Sequence, residues 1–185
     1  MCDPGSIHLA STSAPSIDQG QLAVWRMAEI LNSRDSQSPT PCLFDGVSHS
    51  APIKALAWDP LASGLLVTGG STRNDSVIRL YDVNSLSGET MSFNGVVQSS
   101  HSDVIHSIKC NSVITSLNFR KTRLPVKGND SFGAHELVST HGDPDCEMKL
   151  WQLNKYRPRG ESLCINGKKV EYWFTKVKDF NCHQS

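Results

Sequence analysis

The sequence predicts an all-β fold assembled from repeated sheets, on three observations. Apolar and polar residues alternate with period two over short stretches, helical periodicity is scarce, and one layout occurs three times. That layout is an apolar strand, a polar turn and a second strand ending in an aromatic residue. It reads ELVSTHGDPDCEMKLWQL at 136–153, LLVTGGSTRNDSVIRLYDV at 65–83 and HLASTSAPSIDQGQLAVWRM at 8–27.

The first unit starts inside the pattern, with strands expected at His8 to Ser13 and Gln21 to Met27, and its opening strand is missing. Leu22 to Leu31 is also the best helical candidate, but the repeat favours a strand for its first half. In the middle unit IKALAW puts Ile53, Ala55 and Ala57 on one face and Lys54, Leu56 and Trp58 on the other. Asp59-Pro60 ends that strand. Leu65 to Thr68 is a short buried strand, Gly69 to Ser76 a turn where glycine eases a tight bend, and Val77 to Val83 a third strand. The last unit repeats this as Val113 to Phe119, Glu136 to Thr140, a turn at His141 to Glu147, and Met148 to Leu153. The polar connections Ala28 to Ser48 and Asn84 to Asn111 each have room for one outer edge strand.

Such sheets need a neighbour on each face, which is the design of a β-propeller blade. The aromatic anchors Trp25, Tyr81 and Trp151 stand 56 and 70 residues apart. A WD-type blade takes roughly 40 to 45 residues, so the surplus falls in loop insertions. The division expected is a partial blade plus insertion over 1–48, a WD blade over 49–100, and a second WD blade with a long first connection over 101–154. Residues 155–185 read as a basic tail or unrelated sequence holding a hairpin, LCINGKKVEYW, that turns at Asn166-Gly167. About three blades cannot close a ring, so the expected object is an incomplete propeller with open edges that favour self-association. Val77 to Leu80 and Met148 to Leu150 are the segments expected to be sticky in isolation.

Eighteen basic and eighteen acidic side chains cancel, which leaves no global field for nucleic acid or an anionic membrane. No apolar run approaches the roughly 18 residues of a membrane span, and no basic-then-apolar leader opens the chain, so a soluble intracellular protein is expected. The six cysteines show no C-x-x-C spacing and read as reduced packing residues.

Polar residues at fixed places in the repeat suggest a hydrogen-bond network behind each aromatic anchor. In the middle unit its members are His49, Thr68, Asp75 and Tyr81; in the last, Ser139, Asp145 and Trp151. Asp75 and Asp145 each precede the aromatic by six residues. Ser or Thr, His and Asp are also the ingredients of a nucleophilic triad, but the set recurs with the repeat and lacks a nucleophile elbow, so the structural reading is preferred. His101, His106 and Cys110, or His135, His141 and Cys146, offer zinc-type donors in spacings that match no common finger; no metal and no other cofactor is expected. Arg120, Lys121, Arg123 and Lys127 read as a solvated basic loop. The acidic turn opposite, with Asp143, Asp145 and Glu147, belongs to a rim where propellers commonly receive peptides. Asp18, Gln19, Arg73, Asn74, Asp143 and Glu147 are the candidate peptide-binding rim.

At HSAPIKALAWDPLASGLLVTGGSTRNDSVIRLYDV the chain resembles the Fizzy family of anaphase-promoting-complex activators. His49, Lys54 to Trp58, Pro60 and Thr68 to Gly70 match that family's blade, and Glu136 to Gly142 with Trp151 match its next one. The resemblance covers about 8–153. It implies a ring of about seven blades and a non-enzymatic substrate adaptor for a ubiquitin ligase. It also implies KEN-box and destruction-box degrons as ligands, a role in cell-cycle proteolysis, and placement in the nucleus and cytoplasm. The insertions, and Tyr81 in place of Trp, resemble a divergent fungal, meiosis-specific member. The family's arm box and terminal Ile-Arg have no counterpart, since the chain ends Gln184-Ser185, and a fragment or truncated product is expected. The family's Asn-Asp-Asn and Gln-Asn-Gln turns fall at Asp18 to Gly20 and Asp145 to Glu147, where other residues stand. A WD scaffold of another pathway is the alternative, and a small His/Asp hydrolase or metal enzyme a remoter one.

Overall fold

In a computed structural model of the chain, residues 8–32, 42–85, 104–122, 135–155, 164–165, 168–169 and 172–181 are described. Three antiparallel sheets follow one another along the sequence. The first runs β1 (His8–Ser16), β2 (Gln19–Arg26) and β3 (Cys42–His49), with a short helix α1 (Met27–Asn32) after β2. The middle sheet runs β4 (Ile53–Trp58), β5 (Leu65–Gly70), β6 (Val77–Asp82) and β7 (Val104–Lys109). The third contains β8 (Ile114–Phe119), β9 (His135–His141) and β10 (Glu147–Lys155). After a small pair, β11 (Cys164–Ile165) with β12 (Lys168–Lys169), the chain returns as β13 (Tyr172–Asn181) and completes the third sheet.

These sheets pack face to face as successive blades. The larger core lies between the middle and third sheets, where Ala55, Ala57, Val67 and Leu80 meet Ile114, Leu117, Leu137 and Phe174. The smaller joins the first sheet to the middle one, with Ala10, Leu22 and Val24 against Trp58, Leu66 and Tyr81. Small alanines on β4 follow from this geometry, because the inner strand is where neighbouring blades come closest. Among the described residues no helix is long and apolar enough to cross a membrane.

Several expectations need correction. The segment after 155 is not merely a tail: β13 pairs with β10 from Glu147↔Asn181 to Lys155↔Tyr172 and buries Phe174. Its Lys176 and Lys178 are exposed and, among the described residues, its other edge is unpaired, so it reads in sequence as a solvated basic stretch. The hairpin is present as Cys164↔Lys169 and Ile165↔Lys168, while its turn, Asn166-Gly167, lies outside the described residues. The strand that completes the middle blade, β7, falls beyond residue 100, so the boundary at 100 shifts past Lys109. Residues 22–31 divide, with the strand ending at Arg26 and the helix beginning at Met27.

Ile53 does not share a face with Ala55 and Ala57. The register shifts between Ile53 and Ala55, and Ile53 joins Trp58 in the smaller core. Gly69 and Gly70 belong to β5 rather than to a turn. A Cβ on Gly69 would stand 2.6 Å from Ile114 of the third sheet, and one on Gly70 would collide with the backbone of Asp75, so close approach explains both glycines. Val77 to Leu80 is covered too, since Ile78 and Leu80 are fully buried and β6 is paired on both sides. In Met148 to Leu150 Lys149 points inward and is buried, while the flanking Met148 and Leu150 are half-buried.

Candidate functional site

The middle sheet gathers His49, Thr68, Asp75 and Tyr81 around one buried imidazole. Asp75 accepts from His49 Nδ1 at 3.0 Å, and Nε2 accepts from the Thr68 hydroxyl at 2.7 Å, which fixes the neutral tautomer with its proton on Nδ1. The Tyr81 phenol lies at the far end, buried beside Thr68 and Ser48. Asp75 also accepts the Ser50 amide at 2.6 Å and Arg79 Nη1 at 3.0 Å, and the Arg79 guanidinium lies against His49. Burial pushes the Asp75 carboxyl up, but His49 and Arg79 overcome this and hold it at about 2. Burial dominates for His49 and lowers its pKa despite the Asp75 bond. Burial likewise raises the Tyr81 phenol.

In the third sheet the same positions are wired differently. Trp151 Nε1–H donates to Ser139 Oγ at 2.8 Å, and Ser139 meets His141 Nε2 at 2.7 Å. Asp145 accepts from Ser112 Oγ at 3.1 Å and from Lys149 at 3.5 Å. Of the expected trio, Ser139 and Trp151 meet directly and share His141, which the sequence reading places in a turn, while Asp145 is held by Ser112, which that reading does not single out. Register explains the change. Thr68 pairs with Leu56 and Ser139 with Leu117, so His141 occupies the position of Gly70, and Cys110 that of His49. The middle blade brings its imidazole from before the first strand and keeps glycine opposite; the third brings it from the end of the second strand and has a small residue before the first. The recurring base four residues after each aspartate, Arg79 and Lys149, was the signal in sequence that these turns are charged networks.

In both sets the hydroxyls and imidazoles are buried, and His49, Thr68, Ser139 and Trp151 are engaged in bonds between strands. Among the described residues no group of three or more His, Cys, Asp or Glu side chains is arranged to hold a metal. His106 packs against Phe174, Cys110 is buried with its thiol pushed up to about 11, His135 bonds Asp59 at 2.5 Å, and His101 lies outside the described residues. In the basic loop Arg120 pairs with Glu136 at 3.0 Å; Arg123 and Lys127 lie outside the described residues.

The rim residues share one end of the blades, because each lies in a connection between second and third strands or opens the strand that follows it. Asp18 and Gln19 are exposed at the β1–β2 turn, Arg73 and Asn74 at the β5–β6 turn, and Asp143 at the β9–β10 turn; Glu147 is half-buried beside Lys149 at 3.4 Å. Arg73 and Asp143 form an exposed ion pair that joins the middle and third blades. An ordered acid–base pair above a seam between blades offers both a donor and an acceptor to a peptide laid across it.

Comparison with known proteins bears on this geometry. No family model matches. The B-type cell cycle switch protein ccs52B of Medicago truncatula is 30% identical over 135 residues, which is 73% of this chain and 20% of that protein. The chain is a partial member of the Fizzy family of WD-repeat proteins. The APC/C activator protein CDH1 of Saccharomyces cerevisiae is 26% identical over 144 residues, 77% of this chain and 20% of that protein. This Fizzy-family chain thus spans about a fifth or less of the length of the curated relatives it matches. The protein transport protein SEC31 of Meyerozyma guilliermondii is 31% identical over 74 residues, 40% of the chain and 6% of that protein. A chain in the crystal structure of the mitotic checkpoint complex superposes with a TM-score of 0.57 at 22% identity, over 97% of this chain and 38% of that one. The fold is accordingly an incomplete propeller.

Proposed function

We propose that this protein is a non-enzymatic WD-repeat adaptor that presents degron-bearing substrates to the anaphase-promoting complex, in the nucleus and cytoplasm, during mitotic or meiotic proteolysis. The observation that carries the reading is the match over most of the chain to a protein named as an APC/C activator. The rim is consistent with it. Arg73 and Asp143 span the seam between blades, where a short acidic-basic motif such as a KEN peptide can exchange its own charges for theirs. The buried His and Asp residues then have the task of holding blades in shape.

Fluorescence polarisation with a labelled KEN peptide tests the reading. Saturable binding to the 185-residue chain is expected, absent for a scrambled peptide and weakened at least about tenfold by Arg73→Ala with Asp143→Ala, as loss of a charged pair implies. Equal binding of the scrambled peptide, or none of either, rejects it. The SEC31 match favours a second reading, a WD scaffold for another assembly, which co-precipitation of the anaphase-promoting complex from cell extract would distinguish.

A further inference from the structure

Ile17, Arg73 and Asp143 occupy one position of the repeat, eight residues before the aromatic anchors Trp25, Tyr81 and Trp151. Each lies between the second and third strands of its sheet and stands out into solvent: Ile17 is 81% exposed, and the Arg73 and Asp143 side chains 68% and 77%. The first sheet packs on the middle one and the middle on the third, so the three form a row along the rim, apolar, basic and acidic in turn. Ile17 does nothing for the fold that a turn residue would not do better. With Asp18 it makes a two-residue connection closed by the Ser16↔Gln19 pair, above a bond from Ser13 Oγ to Gln21 Oε1 at 3.1 Å. Turns of that length favour Asn, Asp and Gly, whereas a β-branched apolar side chain there stays in water. Among the described residues it is the most exposed large apolar side chain.

We infer that the rim reads an extended peptide of fixed pattern: a basic residue over Asp143, an acidic one beside it over Arg73, and an apolar one over Ile17. This rests on the rim binding a peptide, as proposed above, and adds a third contact to it. Arg73 and Asp143 already meet, so the two charges of the peptide stand next to each other. Packed sheets lie roughly 10 Å apart and an extended chain advances about 3.3 Å per residue, so crossing the middle blade to Ile17 takes about three residues. In a KEN peptide, Lys falls over Asp143 and Glu over Arg73, which puts the apolar residue on the C-terminal side of the motif. The charges supply orientation, and burial of Ile17 supplies affinity that charge exchange at an exposed pair does not. The exposed Asp18 beside Ile17 disfavours a second acidic residue there.

Fluorescence polarisation on the 185-residue chain reads the result with KEN peptides in an otherwise polar sequence. Leucine placed two, three or four residues after the Glu is compared with serine at the same place, and with leucine three residues before the Lys. A gain of about fivefold over serine is expected at the best C-terminal spacing, and none from the misplaced leucine. Ile17→Ser should abolish the gain while leaving the all-polar peptide unchanged, and Ile17→Leu should retain it. Circular dichroism checks that Ile17→Ser is folded; should it not be, the position dependence of leucine on the unaltered chain decides. No gain at any spacing, an equal gain from the misplaced leucine, or a gain that survives in folded Ile17→Ser overturns the inference and leaves the rim reading standing. Absence of binding by every peptide overturns both.

Discussion

The hydroxyl shared between neighbours is the unit on which each blade turns. Trp151→Phe keeps the ring and removes the N–H that Ser139 accepts, so a destabilisation of about 1–2 kcal/mol is expected in chemical denaturation. Asp75→Ala should weigh more, about 3 kcal/mol, because it strands His49, the Ser50 amide and Arg79 together. Acid should act in two stages. His49 has a folded pKa below 6.5, so the unfolded chain binds its proton more readily and its contribution, complete above that pH, shrinks as pH falls. Asp75 is depressed from 3.8 to about 2, so its contribution is complete above 3.8 and disappears as pH falls through about 2. Melting temperature followed from pH 8 to pH 2 should show both declines, and Asp75→Asn should flatten the lower one. A single decline centred near 4.5, unchanged in that variant, would contradict the assignment.

Strands divide sharply by how well their residues announce them. Inner and second strands sit in cores on one face or both, and IKALAW, LLVTGG and ELVST show it by alternation or by unbroken apolar runs. Outer strands bury little. Among the described side chains of β13 Phe174 is buried and 175–180 are exposed, so nothing in TKVKDF separates it from a tail; β7 is likewise half-exposed along most of its length. The network was half legible for a related reason. An Asp six residues before an aromatic is a spacing, visible in sequence, whereas the exchange of imidazole between His49 and His141 depends on which residue stands opposite in the register. Because Phe174 plugs the outer end of the larger core, Phe174→Ala should cost about 3 kcal/mol, and a chain stopped at Lys155 should lose protection in β10 during hydrogen exchange. If β10 exchanges at the same rate in the shortened chain, β13 contributes nothing to the blade.

At the scale of the molecule the sheets are unequally joined. The middle and third share the larger core and are tied at both ends of their seam, by Arg73 with Asp143 at the rim and by His135 with the fully buried Asp59 at the opposite end. The first is attached through the smaller core, the stacking of His8 on Trp58, with ring centroids 6.1 Å apart, and the buried bonds that His49, at the end of β3, makes to Asp75 and Thr68. The exposed tie at the rim adds little, about 0–1 kcal/mol, so the inner one matters more. The Asp59 carboxylate also accepts the Leu61 amide at 2.8 Å, and thus fastens the bend after β4 as well as the neighbouring blade. A hinge pinned at its concealed end can loosen only as a whole: opening the seam there would bare a carboxylate's two partners at once. Residues 53–181 should consequently melt in one calorimetric step, preceded by a smaller one for the first sheet, and Asp59→Ala should split the larger step in two.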